Sequence, residues 1–513
     1  MSLIKKTVII LLGLFWLPGW LYAGTPPVDS DLRKEIKALR EEINDLNRRV
    51  KYLEATDQIL ELAAPPGGIE RDVRYFPEWE MIHPIRPYGA RKKIKHPLHY
   101  HAPGRYCPIC KRIMEQEEVE PRRDELFKPS VSVGGELRVR GERFRHYNPS
   151  DKVVSPGFDE NQVKNRNRFN VVGGVSRHII AYVEGQAAVV WGNEETSLNL
   201  YQGFVEYNHI ADLPLDLRVG RQELFYGSGF VFGAEAFGNG ATFDALRLDY
   251  TAGDTFRVDL LASKLTEKEL ESRDRDLFGF YSTFSPTGEL TIDLYGFLIR
   301  DEENVEEREE KYQIGTRLFM GLTERVGLEI EPMVETGRKY NPVREANDTI
   351  NAYGGHADLN ISLPVAFHPQ SVFSYAYASG DVDDTDSQYE EFHGTDFEDT
   401  FLYGDMRVAD KADGIDLGGA RFSGIQSLTA GFSVDPLEVL NVNLDFHDFT
   451  AHRAEGVSRR IGGEANLILT LELPEDINLL VSFNQFYPGR GYKQAVDSSK
   501  TINYLYLQTE VSF

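Results

Sequence analysis

The feature that most constrains this chain is a period-two alternation of apolar and polar residues that begins at Val131 and recurs to the last residue. In its first segment Val131, Val133, Gly135, Leu137, Val139 and Gly141 share one face, and Ser132, Gly134, Glu136, Arg138, Arg140 and Glu142 share the other. Successive side chains of a β-strand point to opposite faces, so the pattern reads as a strand with one apolar and one polar surface. Comparable segments fall near 165–176, 180–190, 199–208, 215–225, 243–250, 255–263, 276–284, 289–299, 312–321, 326–336, 350–363, 370–378, 425–434, 439–449, 461–472, 477–486 and 503–513. That makes eighteen segments, each about the length a tilted strand needs to cross a bilayer. A single alternating strand also fits a soluble sandwich.

The connections separate the two readings. Short joints are Arg177-His178, Thr251-Ala252-Gly253-Asp254, Ser285-Pro286-Thr287-Gly288, Thr323-Glu324-Arg325, Asp435-Pro436-Leu437 and Pro474-Glu475-Asp476, whereas His146 to Lys164 is long. Every second connection is expected to be short, the rhythm of a membrane barrel with tight turns at one end and long loops at the other. The last strand closes the series: Leu505, Leu507, Val511 and the terminal Phe513 share a face, alternating with Tyr506, Gln508, Glu510 and Ser512. A terminal Phe on such a strand resembles the assembly signal of bacterial outer-membrane barrels. The sequence therefore predicts an all-β transmembrane barrel of about 18 antiparallel strands over 131–513.

Four segments are expected along the chain. Lys5 and Lys6 precede an apolar run from Thr7 to Trp20, and Leu21-Tyr22-Ala23 offers a cleavage site, so 1–23 reads as a secretory signal peptide. Within 29–63, Leu32, Ile36, Leu39, Ile43, Leu46, Val50 and Leu53 alternate steps of four and three, a heptad seam that predicts a periplasmic coiled-coil helix and self-association through it. A dimer and a trimer both fit, as does an amphipathic helix lying on its own domain. Residues 64–130 are Pro-rich and irregular, with eight Lys/Arg and no acid between Arg86 and Arg112. That basic island suits an anionic lipid surface, an acidic periplasmic protein partner or a solvated linker.

Inside the island stand His99, His101, Cys107 and Cys110, the last two in a Cys-Pro-Ile-Cys knuckle. Two thiolates on one turn and two imidazoles are the donor set of a tetrahedral zinc site. A local disulfide or redox pair in an oxidising compartment competes with it. Lys111 stands where a covalent haem motif requires His.

Net charge supplies an exclusion. With 81 Asp+Glu against 56 Lys+Arg the chain carries −25, which argues against nucleic acid as a partner. The acidity lies in the barrel region: up to Ser130 there are 22 Lys/Arg and 19 Asp/Glu. Arg300 to Lys311 and Ser379 to Gly424 contribute −4 and −10, so the acidity is expected on the outer face and not in the pore.

Several short motifs in order resemble the alginate export family of outer-membrane porins. They are Glu136-Leu137-Arg138-Val139-Arg140, Arg166-Asn167-Arg168, Val219-Gly220-Arg221-Gln222 ending near Tyr226-Gly227, Phe243-Asp244-Ala245-Leu246-Arg247, Tyr375-Ala376-Tyr377-Ala378-Ser379-Gly380-Asp381 and Ile461-Gly462-Gly463-Glu464. The resemblance covers the barrel region and leaves the coil and knuckle outside. It implies an eighteen-stranded pore in the outer membrane, in contact with its lipid, whose inward arginines favour an anionic sugar chain.

The cations expected to line that pore are Arg138, Arg140, Arg166, Arg168, Arg218, Arg221, Arg247, Arg257 and Arg317. Acids such as Glu136, Glu142, Glu184, Glu206, Asp249, Asp259, Glu329 and Glu331 are expected on the same face, so pairing with neighbours competes with solute binding. In the longest loop Asp381, Asp383, Asp384 and Asp386 cluster hard oxygens suited to calcium, without the remaining glycine and glutamate of a calcium loop. No nucleophile motif stands on a strand-to-helix turn, so no enzyme is expected. The leading expectation is an outer-membrane channel for anionic oligo- or polysaccharide or small anions. The alternative is a sleeve around a multihaem electron conduit, with the N-terminal extension docking a cytochrome.

Overall fold

The fold is taken from a computed structural model. It describes residues 129–513 except 147–158, 193–195, 234–239, 254, 267–273, 288, 303–307, 324, 364, 384, 396–401, 403, 405, 407–415, 418–419, 438 and 475. The signal segment, coil, linker and Cys-Pro-Ile-Cys knuckle, with His99, His101, Cys107 and Cys110, lie outside the described residues.

In chain order the strands are β1 (Ser130–Arg145), β2 (Asp159–Ser176), β3 (Ile179–Val190), β4 (Thr196–Tyr207), β5 (Leu215–Gln222), β6 (Phe243–Ala252), β7 (Phe256–Thr266), β8 (Arg275–Thr287), β9 (Leu290–Asp301) and β10 (Glu309–Thr323). They continue as β11 (Val326–Asn341), β12 (Ala346–Ser362), β13 (Gln370–Ala378), β14 (Gln388–Tyr389), β15 (Asp416–Leu417), β16 (Ala420–Leu437), β17 (Leu440–Ala454), β18 (Arg460–Leu473), β19 (Ile477–Pro488) and β20 (Ile502–Ser512). A seven-residue helix α1 (Arg490–Val496) precedes β20. The two-residue strands β14 and β15 lie in the long connection after β13, and the other eighteen form the wall, each antiparallel to its neighbours. The wall closes where β1 pairs with β20 from Glu136↔Ser512 to Arg145↔Asn503. Gly135 and Phe513 also exchange backbone hydrogen bonds, so the terminal residue seals the seam.

Closure follows from the alternation. A wall in hydrocarbon leaves no backbone group unpaired, which an open sheet edge cannot achieve. Val131, Leu137, Phe169, Leu198, Leu246, Leu294, Ile314, Phe432, Phe446 and Leu507 stand exposed on the outer surface, where lipid takes the place of a core. Polar residues of opposite parity, among them Arg138, Arg166, Glu184, Asp259, Glu331 and Glu510, are buried on the inner one.

The loop rhythm is looser than the sequence suggests. The short-turn end includes Arg177-His178 but also Asn208 to Pro214 and Leu363 to Pro369, while the loop end includes the tight turn Pro342 to Glu345. Strands run further than the alternation alone shows, because polar residues near the rims still pair across the sheet: Arg300 contacts Glu310 between β9 and β10.

At the loop end the interior is packed. Above Ala378, strand β13 stops and leaves one edge of β12 uncovered; β14 fills it, pairing in parallel with Thr349 and Ile350. Past β14 the chain turns inward, burying Phe392, Thr395, Leu402 and Met406. A second segment, Glu223 to Phe232 after β5, buries Leu224, Tyr226, Phe230, Val231 and Phe232. The two segments meet: the Phe230 and Phe392 rings stack with centroids 6.3 Å apart, and Thr395 Oγ1 donates to the Val231 carbonyl. Helix α1 covers the β18–β19 side, where Tyr492 is fully buried edge-on to Phe486.

Candidate functional site

The inner wall divides into two arcs. Along β1, β2 and β5 to β7 lie Arg138, Arg140, Arg166, Arg168, Arg218, Arg247 and Arg257, on the inward parity of their strands. The register sets like charges opposite one another, Arg138 across from Arg166, Arg140 from Lys164 and Arg218 from Arg247. Such pairs destabilise a sheet unless something compensates.

Carboxylates from neighbouring strands do so. Arg166 Nε and Nη2 donate to Glu136 Oε1 at 3.1 and 2.5 Å. Arg218 Nε donates to Glu206 at 2.5 Å, and Arg247 Nε to Asp259 at 2.8 Å. Arg257 Nε donates to Asp249 at 2.5 Å, and Arg140 Nε to Gln508 at 2.8 Å. Arg168 bonds Gln186 at 2.6 Å and lies 3.7 Å over the Tyr201 ring, a cation–π contact. In the sequence, pairing and solute binding were competing roles for these residues; the structure gives Arg140, Arg166, Arg168, Arg218, Arg247 and Arg257 carboxylate or amide partners.

The opposite arc is acidic. On β9 to β12, Asp293, Glu329, Glu331, Glu335, Asp348 and Asp358 are buried with Arg317, Lys311 and His356. Arg317 is the hub, with Nη1 3.0 Å from Asp293 Oδ2 and Nη2 2.7 Å from Glu329 Oε2. Among the described residues seven Lys/Arg and seventeen Asp/Glu are buried, so the interior shares the acidity that composition assigned to the outer face. Small ions sample the whole wall. A reversal potential in a KCl gradient is expected to show a cation preference, and a strong anion preference would contradict this account of the wall.

One predicted pore residue is misplaced. Arg218 and Arg221 are three positions apart on a regular strand and face opposite sides. Arg221 shares its parity with Val219 and points outward, where Nε and Nη2 hold Asp244 at 2.8 and 2.6 Å near the loop end. Of the four loop aspartates, Asp384 lies outside the described residues. Asp381 accepts from the Asp383 and Glu390 N–H groups, Asp383 from Thr385, and Asp386 from the Gln388 N–H, so each serves its own turn. Hydrogen bonds from Thr385 hold the Asp383 carboxyl below the usual carboxylate range.

The inserted segment after β13 binds the acidic arc and β18. Gln313 donates to the Gly394 carbonyl and to Glu335, the His393 N–H donates to Glu335 at 3.1 Å, and the Met406 N–H donates to Glu464 at 3.0 Å. Small wall residues make the room: a Cβ on Gly354 would meet the Phe392 ring at 2.7 Å. Gly354→Val is expected to expel Phe392 and raise channel noise in single-channel recordings, with heat-resistant migration of the barrel retained. The inward turn, His356 and the β9–β12 acids as one group were missed in the sequence. Glu329 and Glu331 were expected on the inner face; the two-residue spacing of His356 and Asp358 on an alternating strand is the signal that would have added them, though not their register.

The family model described as alginate export matches residues 130–502, nearly the whole barrel. The chain belongs to the alginate export family. Its barrel is also similar to solved structures from Pseudomonas aeruginosa. OpdL is 11% identical, with 75% of this chain and 99% of that one covered and a TM-score of 0.52. OccK11 is 13% identical, with 75% and 96% covered and a TM-score of 0.50. The outer membrane protein OprD is 12% identical, with 75% and 93% covered and a TM-score of 0.50. At such identities the likeness concerns the fold. No curated protein matches the chain. Family and fold together make this an outer-membrane β-barrel of the porin and export-channel type.

Proposed function

We propose that the barrel passes an acidic oligo- or polysaccharide across the outer membrane, with the arginine arc of β1, β2 and β5 to β7 as its track. The observation that carries this reading is the facing of Arg138 with Arg166 and of Arg218 with Arg247. Guanidinium groups set side by side against the sheet preference present repeated forks to carboxylates along a chain. The partners of Arg166 and Arg218 are side chains of the same wall, so a solute carboxylate exchanges with Glu136 or Glu206 instead of entering an empty site. On this reading the loop end faces outward, the N-terminal extension lies in the periplasm, and the protein catalyses no reaction.

The packed lumen counts against the sleeve alternative. A cytochrome threaded through the wall would have to displace Phe230, Val231, Phe392 and Leu402, all buried in the interior. The test of transport is block of single-channel current in a planar bilayer by a uronic-acid oligosaccharide, with a neutral oligosaccharide of equal length as control. Block by the acidic sugar alone is expected, weakened severalfold in the Arg138→Gln, Arg166→Gln double variant. Equal block by both sugars, or none by either, removes the proposal.

A further inference from the structure

We infer that Glu329, Glu331 and His356 form a site for a borderline divalent metal ion such as Zn2+ on the lumen wall. The register of β11 and β12 places Glu331 opposite His356 and Glu329 opposite Asp358, all on the inner face. One ligand atom from each of Glu329, Glu331 and His356 lies within 4.8 Å of the others. Among the described residues this is the one cluster of three metal-ligating side chains so arranged.

Two further observations point to a cation. Glu329 Oε1, Asp293 Oδ1 and Asp358 Oδ1 have no hydrogen-bond partner, although their residues are only 3, 2 and 6% exposed. Buried carboxylate oxygens without a donor are costly, and Glu329 Oε1 belongs to the cluster itself. Asp293, Glu329, Glu331 and Asp358 carry four negative charges when ionised; among the described residues Arg317 is the Arg or Lys in contact with them, and His356 adds one more positive charge when protonated. The second observation is the setting of the imidazole. His356 Nδ1 lies 2.9 Å from Asp358 Oδ2, at an angle off that of a hydrogen bond, and Nε2 lies 3.3 Å from Glu331 Oε2. The second ring nitrogen faces acidic oxygens, and the Nδ1–Asp358 contact needs only to straighten to become the hydrogen bond that orients a metal-binding imidazole.

The donors select the ion. One imidazole with two carboxylates suits Zn2+ better than Ca2+ or Mg2+, which prefer oxygen alone. Ser228 of the inserted segment donates its hydroxyl to Glu331 Oε2 at 2.7 Å, and the Tyr295 hydroxyl donates to Glu331 Oε1 at 3.1 Å. Both steady the carboxylate, and the first ties the inserted segment to the site. Ser228, His356 and Asp358 also stand in the order of a nucleophile, a base and its orienting acid. Glu331 intercepts that relay by taking the Ser228 hydroxyl and facing the same imidazole nitrogen.

The test is calorimetric titration of ZnCl2 into the full chain in detergent, carrying Cys107→Ser and Cys110→Ser so that thiolates contribute nothing. One ion per chain is expected. Glu331→Gln and His356→Gln should each weaken binding at least tenfold, since even an outer-shell partner is worth about 10–100-fold. Glu455→Gln on an exposed turn should leave it unchanged. Should either site variant fail to assemble, zinc K-edge absorption on the thiol-free chain decides, with one imidazole among oxygen ligands as the expected shell. Absence of stoichiometric binding, affinity unchanged in both site variants, or a shell without imidazole overturns the inference.

Discussion

Replacing residues 386–415 by a short Gly/Ser linker is expected to raise single-channel conductance severalfold while leaving the barrel folded. An eighteen-stranded wall encloses an aqueous channel when its interior is empty, and here that space is occupied at the loop end by two segments that grip each other. The grip is apolar as well as polar. Full burial of Phe392 or Leu402 is worth about 1.5–3 kcal/mol each, and both are 1% exposed. The hydrogen bonds from Gln313 to Gly394, Met406 to Glu464 and Thr395 to Val231 anchor the segment to β10, to β18 and to the other inserted segment. A polymer crossing the pore has to loosen these contacts, so the deletion should also shorten block events by an acidic oligosaccharide. Unchanged conductance would mean that the narrowest point lies elsewhere and that the inserted segment is not the gate.

Arg317→Ala is the substitution with the largest expected effect on stability. It removes the guanidinium that holds Asp293 and Glu329 and stands 4.0 Å from Glu331, leaving three carboxylates together in the wall. Breaking a buried pair by removing one partner typically costs about 3–5 kcal/mol, because the remaining charge stays desolvated. Denaturant titration of the assembled barrel in micelles should show a loss of that size or a failure to assemble. Arg317→Lys should recover part of it, since an ammonium supplies the charge but not the fork. Loss below about 1 kcal/mol, the value of an exposed pair, would show that solvent already screens the cluster. Added Zn2+ should recover part of the loss, because an ion at Glu329, Glu331 and His356 replaces the missing positive charge.

The barrel was legible to a large degree. All eighteen alternating segments correspond to wall strands, and the closing role of Phe513 follows from its place on the last of them. Parity alone placed Arg138, Arg140, Arg166, Arg168, Arg218, Arg247, Arg257 and Arg317 on the inner face. The same parity excludes Arg221, because a residue three positions from Arg218 on an unbroken strand faces the other way. The acidic loop from Ser379 to Gly424 was legible as long and charged, yet its inward course was not. Asp381 and Glu391, counted with the outer acidity, are 7% and 5% exposed.

What the sequence by itself determined is therefore the strand count, the face of each residue and the family. Those follow from local periodicity, and a bilayer enforces periodicity by excluding any unpaired backbone or misplaced charge. What only the tertiary structure decided is which side chains meet: Arg138 with Arg166, Glu331 with His356, Phe230 with Phe392. Such meetings depend on the register between strands and on where a long loop returns. A period of two repeats identically at every even shift, so alternation fixes the face but leaves the register open. The arginine arc, the packing of the inserted segments and the Glu329, Glu331 and His356 cluster all depend on that register and on the return of the loops.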